Sequence, residues 1–124
     1  MEGFVVSLPV YIKPYKHTFR MERIQKLNEM LASSPNDCFL LHALGLEYLK
    51  TDEPVKALHA FLNVLASDGN YVGTYYHLAR TYEKLGQQED AVKTYEKGIL
   101  IAKQMNDIHA RNELQMALDD LIDT

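Results

Sequence analysis

The sequence predicts an all-α fold built of stacked helical hairpins, and three observations carry that prediction. A pattern of residue types recurs at an offset of thirty-four positions: Leu41-x2-Leu44-Gly45-x2-Tyr48, then Ala57-x3-Phe61, returns as Tyr75-x2-Leu78-Ala79-x2-Tyr82, then Ala91-x3-Tyr95. Apolar residues outside these positions fall at three- and four-residue steps, the period of one helix face. Turn formers and caps interrupt the stripes at matching places, Pro35-Asn36-Asp37 and, one repeat on, Asp68-Gly69-Asn70. A unit of this length cannot hide its apolar face alone, so successive copies must stack.

Taken in order, residues 1–18 stand apart, because Phe4 to Ile12 is β-prone and Pro9 and Pro14 oppose a helix. They read as an extended or disordered N-terminal tail. Phe4, Val6, Leu8 and Val10 on one side of it suit docking in a groove of the same or a neighbouring chain. The folded domain is expected over 19–124, with helices near 19–32, 37–50, 53–67, 70–84, 88–104 and 107–122. The first is a stripe of Met21, Ile24, Leu27, Met30 and Leu31, which Pro35 ends.

The second is apolar nearly all round. Gly45 within it costs ~1 kcal/mol relative to alanine, which implies close approach of a partner helix at that point. Thr51-Asp52-Glu53-Pro54 turns the chain and opens the third helix, where acids and proline suit the free N–H groups. Gly86 is the expected left-handed stop of the fourth. The sixth carries Ile108, Leu114, Leu118, Leu121 and Ile122 on one side and reads as a cap over the open end of the stack.

Composition bounds the function. The 47% hydrophobic content is ample for one core, and 13 basic against 17 acidic residues leave no basic excess for a nucleic-acid surface. The longest apolar runs fall short of the ~18 residues a membrane-spanning helix needs. The single cysteine, Cys38, excludes an internal disulfide and fits a reducing compartment.

The repeated small, aromatic and turn positions resemble the tetratricopeptide repeat (TPR) family. The likeness covers about Cys38 to Met105 as two full repeats, with half a repeat before and a C-terminal capping helix after. Tyr71-Val72-Gly73-Thr74-Tyr75-Tyr76-His77-Leu78 and the chain's end are similar to short bacterial TPR proteins. The resemblance implies a right-handed α-α superhelix, a cytoplasmic setting, and a protein-interaction adaptor or scaffold whose concave groove receives a peptide or helix of a partner. Reading the uncommitted face at helical steps places Phe39, His42, Leu46, Leu49 and Lys50 in that groove from the first repeat. The second repeat adds Gly73, Tyr76, His77, Arg80 and Lys84.

These residues predict an apolar upper half and a lower half with an aromatic ring, imidazole and positive charge, suited to a segment with apolar anchors and a carboxylate. The clamp by which some TPR domains hold a chaperone's C-terminal carboxylate is not predicted, since His42 and Leu46 stand where that clamp uses asparagine and lysine. Arg111 is a loose candidate for its last arginine.

An enzyme is not expected, nor a cofactor. The five histidines include no pair at i, i+4 and no HExxH, and the glycines form no phosphate loop. Cys38 begins a helix, which can lower a thiol pKa, but its apolar neighbours point to burial. The expected state is a monomer or weak homodimer. The alternative is a self-association module whose groove is filled by its own or a neighbour's N-terminal segment.

Overall fold

The computed structural model describes residues 19–123, so the expected tail at 1–18 and its docking lie outside the described residues. Within them the chain forms six helices and no strand: α1 (residues 19–33), α2 (Cys38–Lys50), α3 (Pro54–Ser67), α4 (Gly73–Lys84), α5 (Gln88–Gln104) and α6 (Ile108–Ile122).

The helix ends follow local chemistry. Asp37 and Asp107 cap α2 and α6, their carboxylates accepting from the N–H groups of Leu40 and Ala110 at 3.0 Å each. Three turns are built alike. Asp52, Gly86 and Asn106 take left-handed φ values of 59°, 76° and 58°. The next residue's N–H then reaches back five positions, Glu53 to Tyr48 O, Gln87 to Tyr82 O and Asp107 to Ala102 O. That is the long bond of a Schellman stop, and short polar side chains accept the left-handed geometry where glycine is absent.

The start of α4 departs from expectation, at Gly73 rather than 70. The Asp68 carboxylate takes the Asn70 N–H at 2.9 Å, and the Tyr75 hydroxyl donates to Gly69 O at 2.6 Å, so residues 68 to 72 are held as a turn. Asn70 therefore caps nothing.

Each helix packs on its successor from α2 to α6, while α2 lies beside α4 and α4 beside α6. The last two contacts make an inner row of α2, α4 and α6. Ile24, Leu27 and Leu31 of α1 close the core at one end against Leu40, Leu41 and Leu44. In the middle Phe61 is fully buried with Ala57 and Leu78. At the other end Tyr95, Ile99 and Ala102 pack against Leu114 and Leu118.

Two glycines mark the closest crossings. A Cβ on Gly45 would stand 2.4 Å from Phe61 Cε1, and one on Gly98 would stand 2.6 Å from Tyr75 Cβ and 3.0 Å from Leu114 Cδ1. Sequence reasoning predicted the first and passed over the second. The covered stripe of α6 runs through Ala110, Leu114, Ala117, Leu118 and Leu121. Ile108 and Ile122, expected on the inner side, are 65% and 59% exposed, because helical steps turn both by roughly a quarter turn or more from that stripe.

Candidate functional site

The inner row brings most of the predicted groove residues together. His42 of α2 meets His77 of α4 edge-on, with ring centroids 5.4 Å apart, and His77 stacks on Phe61 at 6.0 Å. His42 Nδ1 lies 2.8 Å from the hydroxyl of fully buried Thr74, and Tyr76 sits edge-on to His77 at 5.4 Å. The two imidazoles thus form the seam between the repeats. Leu46 and Leu49 are half-buried against Phe61 and Leu78. Beyond them Leu49, Arg80 and Lys84 line a cleft of about 390 Å³ together with Thr81 and Glu83.

A second cleft of about 330 Å³ opens between α4 and α6, lined by Tyr76, Arg80 and Glu83 on one side and Glu113, Met116 and Asp120 on the other. Arg80 and Glu83 line both clefts, which therefore adjoin at these two side chains.

Three predicted residues stand apart. Phe39, 70% exposed, and Gly73, also exposed, lie at the N-terminal ends of α2 and α4. Arg111 is exposed on α6, but two positions before Glu113 it is turned about 200° around the helix from the cleft-lining stripe.

Three of the four predicted cations have an acidic neighbour that offsets their charge: Lys50 lies 3.4 Å from Glu47, Arg80 3.7 Å from Glu83, and Lys84 3.6 Å from Asp52. Glu83 also accepts from the hydroxyl of Tyr95, whose ring is fully buried. Burial and that hydrogen bond push the phenol well above its usual range. Cys38, with its Sγ 3.6 Å from Val64 O, has a thiol pKa raised by desolvation and then by Asp68 and Asp37. The helix start therefore does not bring the thiol pKa below its ordinary value.

Desolvation, and then the neighbouring His77, lowers the His42 pKa, and desolvation lowers that of His77 against an opposing pull from Glu113. The unfolded chain therefore binds protons at these positions before the folded one does. Stability contributed by the two neutral rings is fully present above the unfolded value near 6.5 and is lost as pH falls toward the folded values. Chemical unfolding at pH 7.5 and 5.5 should give the lower midpoint at the lower pH. Replacing both histidines by glutamine should flatten the difference, and an unchanged difference would locate the titration elsewhere.

Sequence reasoning missed Glu83, Glu113, Met116 and Asp120. The signal was present: 76, 80 and 83 on α4 and 113, 117 and 120 on α6 share the steps i, i+4, i+7 of one helix face. Treating α6 as a structural cap concealed it. Among the described residues no group of three or more His, Cys, Asp or Glu side chains could hold a metal, and no helix is long and apolar enough to cross a membrane.

A family model for the tetratricopeptide repeat matches residues 72–105. The crystal structure of a tetratricopeptide repeat domain protein from Salinibacter ruber is 40% identical over 68% of this chain and 94% of its own, with a TM-score of 0.65. The chain belongs to the TPR family. Its TPR fold is the right-handed α-α superhelix of two full repeats, a preceding half repeat and a terminal helix, and two more distant structures share it. PcrH, solved in complex with the chaperone-binding region of PopD, has a TM-score of 0.78 at 14% identity, covering 98% of this chain and 93% of its own. The first TPR of Spaghetti (RPAP3), bound to the HSP90 peptide SRMEEVD, has a TM-score of 0.69 at 19% identity, covering 97% and 93%. The comparison with curated proteins gave no match. TPR domains of this kind are protein-interaction modules.

Proposed function

We propose that this TPR protein is a non-catalytic adaptor of the cytoplasm that holds a peptide or helix of another protein in the hollow lined by α2, α4 and α6. One observation carries the reading. Two adjoining clefts share Arg80 and Glu83, and the packing of the repeats leaves Tyr76 half-exposed and Met116 68% exposed within them. Aromatic and sulfur side chains in a preformed concavity are what a partner's apolar anchors use. The peptide-bound relatives, the PopD complex of PcrH and the HSP90-peptide complex of Spaghetti, support a ligand of this type.

The test is site-specific capture from cells. A photo-crosslinking amino acid in place of Tyr76 is expected to trap a discrete partner, whereas the same group at Glu96, exposed on the outer helix α5, should not. Tyr76→Ala with Met116→Ala should reduce recovery of that partner about tenfold, the effect of losing one anchor contact, with the far-ultraviolet spectrum unchanged. Equal trapping from positions 76 and 96 would reject the groove.

A further inference from the structure

We infer that the outer side of α6 is the surface on which a second copy of this chain docks, as an antiparallel pair of helices. That surface is separate from the hollow in which a partner is proposed to lie. Of the four most exposed large apolar side chains among the described residues, three stand on α6: Met116 at 68%, Ile108 at 65% and Ile122 at 59%. Packing on α5 already uses another side of the same helix, through Leu114 and Leu118. An element that ends a stacked array needs a polar outer side, and a helix apolar on two sides is suited to cover on both. Met116 turns toward the α4–α6 cleft, which leaves Ile108 and Ile122 for the outer side.

The order of residues on that side selects a second copy. Ile108, Gln115 and Ile122 stand seven apart and share one line, which drifts by only about 20° per heptad. Arg111 and Asp119, four before and four after Gln115, flank the line, and both are exposed. The face is therefore laid out alike in both directions from Gln115. A two-fold axis through Gln115 sets Ile108 on the partner's Ile122 and Arg111 on the partner's Asp119, each contact made twice. The Arg111 guanidinium has no ion pair among the described residues, and Asp119 is held on this face by the Gln115 amide, which donates to its Oδ1 at 3.0 Å. A parallel copy would instead set Arg111 on Arg111 and Asp119 on Asp119, and like charges oppose that arrangement. Gln115 lies about 140° or more around the helix from Glu113 and Asp120, so pairing leaves the α4–α6 cleft open.

One helix from each copy makes a contact below the roughly 1,200 Å² of stable complexes, so the dimer is weak. Sedimentation equilibrium of the full chain, up to about 1 mM, should fit monomer and dimer. Salt at about 0.15 M screens the long-range repulsion between two chains of formal charge −4. Ile108→Glu should weaken the dimer about tenfold or more. Arg111→Asp and Asp119→Arg should each weaken it about tenfold, and the two together should return it to within about threefold of the unsubstituted chain, because the exchange restores opposite signs. Val55→Glu, at a 56% exposed position on α3, should leave it intact. All four positions are exposed, and an unchanged far-ultraviolet spectrum checks that each variant is folded. A chain that stays monomeric throughout, a dimer indifferent to Ile108→Glu or equally sensitive to Val55→Glu, single charge exchanges without effect, a double exchange no better than the single ones, or growth beyond the dimer would overturn the inference.

Discussion

Phe61→Ala is expected to lower the unfolding free energy by about 3–5 kcal/mol, the range for deleting a buried aromatic ring. Phe61 is fully buried, sits in the core with Ala57 and Leu78, and fills the space that Gly45 leaves open. It therefore touches α2 and α4 from α3. With total stability of a small domain at about 5–15 kcal/mol, this one ring holds more than half of the margin at the lower end. Urea unfolding should show the midpoint fall, and Phe61→Leu should recover much of the loss, since leucine fills more of the space than alanine and leaves a smaller cavity. A Phe61→Ala midpoint within ~1 kcal/mol of wild type, the scale of a volume-conserving swap, would contradict the packing.

The same ring connects stability to the hollow. His77 stacks on Phe61, and His42 lies 5.7 Å from it, so the seam between the two repeats rests on a side chain that no ligand would touch. Loss of the ring loosens the positions of Tyr76 and His77 before it unfolds the chain. Binding by Phe61 variants should consequently weaken in step with their stability, whereas Tyr76→Ala should weaken binding out of proportion to it.

The hairpins were legible because each repeat position is decided by local geometry. Gly45 and Ala79 recur at one repeat position and Ala57 and Ala91 at another, all of them buried, and Asp52 and Gly86 turn the chain at identical offsets. What was hidden depends on longer helices and other elements. Gly98 stands one repeat after Val64, a fully buried residue. Because the sequence puts glycine where its repeat-mate fills space, only the backbone shows that Tyr75 and Leu114 occupy the gap.

For the groove, His42, Leu49, Tyr76, His77, Arg80 and Lys84 came from helical steps on α2 and α4. The pairing of its charges did not. Lys50 with Glu47 and Arg80 with Glu83 are i, i+3 pairs readable along one helix, but Lys84 with Asp52 joins two turns, and α6 supplies Glu113 and Asp120 from a helix outside the repeat pattern.

Gly45→Leu is expected to destabilise by about 2–3 kcal/mol, against a helix propensity that favours leucine over glycine by nearly 1 kcal/mol. The two effects have opposite sign, and contact distance decides between them. A Cβ at Gly45 would lie 2.4 Å from a ring carbon of Phe61, where carbon atoms in contact prefer about 3.5–4.0 Å. At about 4–8 °C per kcal/mol the melting temperature should drop by about 10–20 °C.

Alanine separates the geometry further. At Gly45 the overlap is with the rim of a ring that can tilt, but at Gly98 it is with Tyr75 Cβ, fixed to the backbone of α4, so α4 and α5 must move apart. Gly98→Ala should therefore cost more than Gly45→Ala, although its bad contact is the longer one at 2.6 Å. Gly73, the first residue of α4, has nothing within 4 Å of the place its Cβ would take, and Gly73→Ala should stabilise by up to ~1 kcal/mol. One substitution at three glycines, ordered by what stands in front of each, gives losses at two and a gain at the third. A common sign at all three would mean that propensity rather than helix crossing controls these positions.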